Sequence, residues 1–172
     1  MPRHLVLVGL PGSGKSTVGR LVAKGLPAPL IDIDQLLVRQ MGRPVGQIFG
    51  MVGEPGFRQM EREAVRAALT GAPTVIVPGA GWAAQPGEIE HAAESCFIIY
   101  LKSQPSTAAK RIAEGEVRPL MVGGDPIQRM RELLKAREPF YAKAHREIST
   151  ENRGAEAVAA DVVAAARQGA GW

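Results

Sequence analysis

Residues Gly9–Ser16 read GLPGSGKS, which fits the pattern G-x-x-x-x-G-K-[ST] and lies between an apolar run and the start of a helix. Gly12 and Gly14 let the backbone curl so that successive N–H groups point inward, and the helix that follows adds the positive end of its dipole. Such a nest binds phosphate oxygens. Lys15 is expected to reach the β- and γ-phosphates of a nucleotide and the Ser16 hydroxyl to ligate Mg²⁺. Gly12, Ser13, Gly14, Lys15, Ser16 and Thr17 together make up the expected phosphate site. A chance match in a chain of this size is on the order of 1%.

Two carboxylates follow in LIDIDQL, where an apolar run acquires Asp32 and Asp34. If the run stays extended, side chains two residues apart share a side, at the carboxyl end of a strand beside the phosphate loop. Asp32 is then expected to hold Mg²⁺ through its water shell, and Asp34 to accept a hydrogen bond from a nucleophilic hydroxyl. The bland alternative is that the pair caps a helix. In GEPGFRQMERE, Pro55 pre-organises a helix start, and Phe57, Arg58 and Glu61 fall within one turn of each other. An Arg58 held by Glu61 suits bidentate capture of a carboxylate, unless the two form only a solvated surface pair. Gly79-Ala80-Gly81 ends a further apolar run, where glycines would let a ligand approach the backbone closely. Arg118 in VRPL and Arg137 before EPFY complete a set of cations that would suit an anionic substrate.

These residues need a scaffold that brings them to one edge. The runs HLVLVG, APLIDI, PTVIVPG and CFIIYL have the length and β-branched content of buried strands, and REIST reads as a short fifth. Helical patterns run from Lys15 to about Leu26, Pro55 to Leu69, Ser106 to about Ala113, Pro126 to about His145, and Ala155 to Arg167. Asp125 reads as an N-cap, and Pro139 is expected to kink or break its helix. Alternating strands and helices with continuous apolar strands mean an α/β parallel sheet. The Gly-rich, aperiodic segment 114–125 carries Arg118 and has the length of a lid. Its closure over the nucleotide, together with the substrate helix, would exclude water from the phosphoryl donor.

Bulk properties set bounds. The 172 residues form one domain that buries roughly 70% of its unfolded surface. Lys plus Arg exceed Asp plus Glu by 21 to 17, but the cations are scattered, which argues against nucleic acid and a membrane surface and leaves phosphorylated small molecules. No run approaches the ~20 apolar residues of a membrane span, and none forms a signal peptide, so a cytoplasmic location is expected. The lone Cys96 lies in an apolar run and is expected to be a small buried hydrophobe. His4, His91 and His145 lack ligand spacing. Motors, GTPases and kinases share the phosphate loop. Without an NKxD guanine reader, and with a chain short for a motor, a small-molecule kinase is favoured.

Taken in order, GLPGSGKST, DIDQ, GRPVGQIF, GEPGFRQMERE, the Gly79–Gly81 turn, VRPLM and REPFY resemble the shikimate kinase family over nearly the whole chain. The resemblance implies a three-layer P-loop fold of the nucleoside-monophosphate-kinase type, with a five-stranded parallel sheet in order 2-3-1-4-5. It implies one kinase domain over residues 1–172, with a substrate segment at about 33–61 and a lid at about 112–125. It implies transfer of the ATP γ-phosphoryl group to the 3-hydroxyl of shikimate, with Mg²⁺. By position, Asp34 resembles the residue that grips and activates the substrate hydroxyls, Arg58 and Arg137 the carboxylate clamp, and Arg118 the lid arginine at the phosphates. Arg111 resembles the residue lying against adenine, and Phe49, Phe57 and Glu61 the pocket wall. ATP and a small-molecule substrate are the expected partners of a monomer.

One departure stands out. The family usually has three glycines where this chain has Gly79-Ala80-Gly81, flanked by Pro78 and Trp82. Alanine keeps the backbone N–H but disfavours positive φ. A middle residue with negative φ preserves activity; otherwise the substrate fit changes. The competing readings are a kinase of another hydroxy acid such as gluconate, and a non-catalytic ATP-binding homologue whose pocket Ala80 has blocked.

Overall fold

A computed structural model describes residues 1–114 and 124–172. Five parallel strands, β1 (His4–Val8), β2 (Leu30–Asp32), β3 (Val75–Val77), β4 (Cys96–Lys102) and β5 (Arg146–Ser149), form one sheet in the order β2-β3-β1-β4-β5. The expected topology is therefore observed. The register places Val8 beside Tyr100, Asp32 beside Val77 and Lys102 beside Ser149, so the carboxyl ends of the strands share one edge.

Strand residues alternate between two cores, as a pleat demands. Val6, Val8, Ile76, Ile98 and Tyr100 face the layer that holds Leu37, Phe57, Val65, Trp82 and Tyr141. Leu5, Leu7, Val75, Phe97 and Ile99 face α1 (Lys15–Gly25) and α7 (Ala155–Gly169) through Val18, Val22, Val158 and Val162. Both faces of the sheet are covered, which is why its strands read as unbroken apolar runs. Cys96 is fully buried, and burial pushes its thiol up to about 11. At neutral pH it is a hydrophobe.

Several local expectations need correction. The chain does not stay extended through Asp34: β2 ends at Asp32, and α2 (Ile33–Met41) starts at the next residue. Asp32 is the N-cap, its Oδ1 accepting from the Gln35 N–H at 3.2 Å. Pro55 does stand at a helix start, and a further helical stretch that was not expected precedes it. Helical residues run as α3 from Val45 to Ala68, broken at Gly53 by φ 71° and ψ 173°, so Pro55 sits at the head of the second half only. The short α4 (Glu88–Ala93) and α2 are additions to the expected set, beside α5 (Pro105–Ala113). In α6 (Pro126–Tyr141), Pro139 lies in the last turn and the helix ends two residues later, short of His145. Asp125 caps α6 as expected, accepting from Ile127 N–H at 3.0 Å. None of the described helices is long and apolar enough to cross a membrane.

Candidate active site

The phosphate loop joins β1 to α1, and its glycines hold the conformations that its curl requires. Gly12 has φ 77° and Gly14 φ 91°, both in the left-handed region that residues with a Cβ avoid. Gly14 is the N-cap of α1, so the loop leads directly onto the N–H groups of that helix's first turn. Lys15 is buried, and its ammonium donates to the carbonyls of Gly9 at 2.9 Å and Leu10 at 2.8 Å, which ties it to the loop it serves. Arg111 of α5 closes the side, donating to the Gly12 carbonyl at 3.3 Å and to the Thr150 carbonyl at 3.3 Å.

A cleft of about 340 Å³ opens over this loop and is lined by Gly12, Gly14, Lys15, Ser16, Thr17, Asp32, Asp34, Gly79, Ala80 and Arg111. Ser13 is buried beneath the loop. Both aspartates face the cleft although a helix start separates them, because α2 begins at the strand end and its first turn carries Asp34. The Ser16 hydroxyl donates to Asp32 Oδ2 at 2.6 Å. The capping alternative is therefore true of Asp32 as well: one carboxylate oxygen caps α2 and the other meets the phosphate loop. A hydroxyl and one carboxylate beside a phosphate nest suit Mg²⁺, which is bound through one or two protein oxygens, water and substrate phosphates. Among the described residues there is no cluster of three or more acidic, His or Cys side chains that would make an all-protein metal cage.

Beyond the cleft, Arg58, Glu61, Arg137 and Tyr141 gather around the Gly79–Gly81 turn. Arg58 Nη1 donates to Glu61 Oε1 at 3.3 Å, and Glu61 has no exposed surface, so the pair is not a solvated ornament of the helix. Burial pushes Glu61 up to about 7 against the pull of Arg58, and Asp34 pushes in the same direction as burial while Arg137 opposes it. Arg137 is 7% exposed, and its buried Nη1 has no hydrogen-bond partner among the described residues. Phe57 is buried beside the half-buried Phe49, ring centroids 5.5 Å apart, and Arg58 lies over the Phe57 ring at 5.8 Å. Arg118 lies outside the described residues, as does most of the expected lid.

The glycine turn also has a rationale within the protein itself. Glycines at 79 and 81 make room for the protein's own side chains: a β-carbon on Gly79 would overlap Glu61 Oε2 and come within 3.1 Å of Asp34 Oδ1. On Gly81 it would lie 2.6 Å from Arg58 Nη1. Ala80 has no such conflict of conformation, since the only non-glycine residues with positive φ among those described are Pro27 and Asn152. Tyr141, to which sequence reasoning gave no role, donates its hydroxyl to the Ala80 carbonyl at 2.9 Å. Its signal was its place four residues after Arg137, on the same helix face. Burial pushes its phenol up to about 12 while Arg137 pulls it down, so the two side chains stand close together. Gln85 was also missed, because a single glutamine in a loop carries no pattern.

Two expectations follow. Gly81→Ala should drive a methyl group into the Arg58 guanidinium, at about 1–3 kcal/mol in stability and with a raised KM for the anionic substrate. Ala80→Gly should retain activity and lose about 0.4–1 kcal/mol through a looser unfolded chain. Urea melts and steady-state kinetics of both variants check the contrast. The second expectation concerns Glu61. Its folded pKa, about 7, lies above the ordinary 4.5, so the folded state holds the proton more tightly. Its contribution to stability is thus full below about pH 4.5 and is lost as pH rises to about 7, a fall on the order of a few kcal/mol. Glu61→Gln should remove that slope. Parallel Tm–pH curves for variant and wild type between pH 5 and 8 would show that Glu61 titrates normally.

The family profile described as shikimate kinase matches residues 11–167. The shikimate kinase of Symbiobacterium thermophilum is 42% identical over 164 residues, 93% of this chain and 94% of that one. A structure described as shikimate kinase from Acinetobacter baumannii in complex with shikimate superposes with TM-score 0.90 at 30% identity, covering 95% of this chain and 92% of that one. A gluconokinase from Sinorhizobium meliloti covers 99% of this chain and 94% of that one with TM-score 0.68, but at 18% identity it shares the fold alone.

Proposed function

This chain belongs to the shikimate kinase family of ATP-dependent phosphotransferases, and we propose that it transfers the γ-phosphoryl group of ATP to the 3-hydroxyl of shikimate, giving shikimate 3-phosphate and ADP. The observation that carries the reading is the meeting of two sites at Gly79: the phosphate cleft, with Lys15 and Asp34, adjoins Arg58 held by the buried Glu61, and a buried Arg137. A compact acid with hydroxyls fits that arrangement, its carboxylate on the two guanidinium groups and one alcohol turned toward Asp34.

Each residue then has a defined task. The backbone N–H groups of Gly12, Ser13 and Gly14, with Ser16 and Thr17 at the head of α1, cradle the β-phosphate, and Lys15 leaves its loop carbonyls to follow the γ-phosphoryl group. Asp34 holds the alcohol in line and accepts its hydrogen bond as the proton departs. Arg58 and Arg137 fix the acid end, Glu61 keeps Arg58 in place, and Phe49 and Phe57 wall the ring. Gly79, Ala80 and Gly81 bring backbone N–H groups to the substrate. Arg111 would lie against adenine, and Arg118 is the proposed cation from the lid. Ser16 and Asp32 would hold Mg²⁺, which supplies charge neutralisation at the phosphates. With the nucleotide and substrate sites both drawn from residues of one chain, a monomeric unit spanning residues 1–172 suffices. An ATP-dependent enzyme with a reduced, buried Cys96 suits the cytoplasm.

A coupled ADP-release assay tests this. Shikimate should be turned over and gluconate should not. Turnover of gluconate with shikimate inert would overturn the assignment, and ATP binding without turnover of either would support the non-catalytic reading.

A further inference from the structure

Gln85 lies on the segment that leaves the glycine turn, and it is buried at 8% exposure although no part of the mechanism above uses it. Its segment is tightly wound: Trp82 N–H bonds the Gly79 carbonyl at 3.1 Å, and Gln85 N–H bonds the Trp82 carbonyl at 3.0 Å. The side-chain amide is used at both ends. Nε2 donates to Glu61 Oε1 at 2.9 Å, and Oε1 accepts from the Arg62 guanidinium. Arginine has no acceptor, so the amide oxygen must face Arg62 and the amide N–H₂ must face Glu61. The flip state is fixed by chemistry.

The consequence falls on Arg58. Glu61 Oε1 receives both Gln85 and Arg58, which makes that oxygen the obligatory acceptor and leaves Oε2 against Gly79. Among the described residues Glu54 also pairs with Arg58, but at 3.7 Å and 53% exposed it is too solvated to set the guanidinium's direction. One turn further along α3, Arg66 bonds Glu88 at 2.7 Å, so the segment carrying Gln85 is fastened to the helix at a second point. A chain of hydrogen bonds thus runs Arg62–Gln85–Glu61–Arg58 from the rim of the protein to the substrate's acid end.

From this geometry we propose that Gln85 is a positioning residue for the carboxylate clamp, acting on Arg58 through Glu61. The proposal rests on the reading of Arg58 as the substrate's carboxylate site. Gln85→Leu removes donor and acceptor without adding charge; Gln85→Glu keeps the shape and the partner for Arg62 and replaces the donor to Glu61 by a second carboxylate oxygen. Both variants should raise KM for shikimate about 10-fold while kcat and KM for ATP stay within about twofold, as loss of one hydrogen bond to a buried charge predicts. Loss of the donor also weakens the charged form of Glu61, whose other neighbours are Arg58 on its own helix, Asp34 on α2 and Arg137 on α6. The pH at which Glu61 titrates, followed by ¹³C NMR of its carboxyl, should therefore move upward in both variants relative to wild type. An unmoved titration in Gln85→Leu overturns the proposal whatever the substrate, as does a common fall in kcat and in affinity for ATP. If wild type is inert toward shikimate while the titration still moves, the substrate assignment fails and the hold of Gln85 on Glu61 stands.

Discussion

Asp34→Asn is expected to lower kcat with shikimate by about 10²–10⁴-fold while leaving the Kd for ATP within about twofold. Asparagine has the shape of aspartate and can still accept a hydrogen bond, so the alcohol would keep its seat. What is lost is the negative charge that draws the hydroxyl proton as the bond to phosphorus forms. Phosphoryl transfer has a loose transition state, and enzymes accelerate it chiefly by alignment and charge. Asp34 stands in the first turn of α2, on the wall of the cleft that also holds Lys15 and Ser16, with its Oδ1 beside Gly79. It thus faces both halves of the site, the phosphate cleft and the glycine turn. Stopped-flow and steady-state assays with ATP-binding calorimetry separate the two effects. A kcat within threefold of wild type removes Asp34 from the chemistry.

Arg137→Met is expected to lower kcat/KM for shikimate by on the order of 10²–10³, as truncating one partner of a desolvated charge pair costs about 2–5 kcal/mol. The effect on stability should be opposite in character. A buried guanidinium nitrogen without a partner among the described residues is an expensive group in the free protein, and an apolar side chain of similar length relieves that burden. Tm should therefore stay level or rise as activity collapses. Site residues held at a cost in stability mark function. A variant that loses activity and stability together would mean that Arg137 is a structural residue.

The sequence made some of this arrangement visible and hid the rest for physical reasons. The phosphate loop is legible because backbone geometry dictates its glycines and phosphate chemistry dictates Lys15 and Ser16. The strand order followed from the family resemblance, and the buried strands from their unbroken apolar runs. The sequence puts Asp32 and Asp34 at the right edge but on an extended strand, where the structure has a helix start. IDID reads as strand by β-branched content, whereas the capping hydrogen bond of Asp32 starts a helix one residue later. α3 was half read for a similar reason: Gly53 and Pro55 look like a boundary, and the chain resumes its helix across them. Gly79 and Gly81 read as room for a ligand, and the structure adds that they also leave room for Glu61 and Arg58. Spacing put Tyr141 on the helix face of Arg137 without revealing its partner, and it gave no sign of Gln85, since Ala80 and Glu61 are distant in the chain and meet these residues only once the sheet is assembled.

The most direct test is a crystal structure with ADP and shikimate bound. It should show the substrate's carboxylate on Arg58 and Arg137, its 3-hydroxyl within hydrogen-bond distance of Asp34, and the ring walled by Phe49 and Phe57. Shikimate bound with its acid end away from both arginines, or with Asp34 contacting no ligand oxygen, would contradict the account.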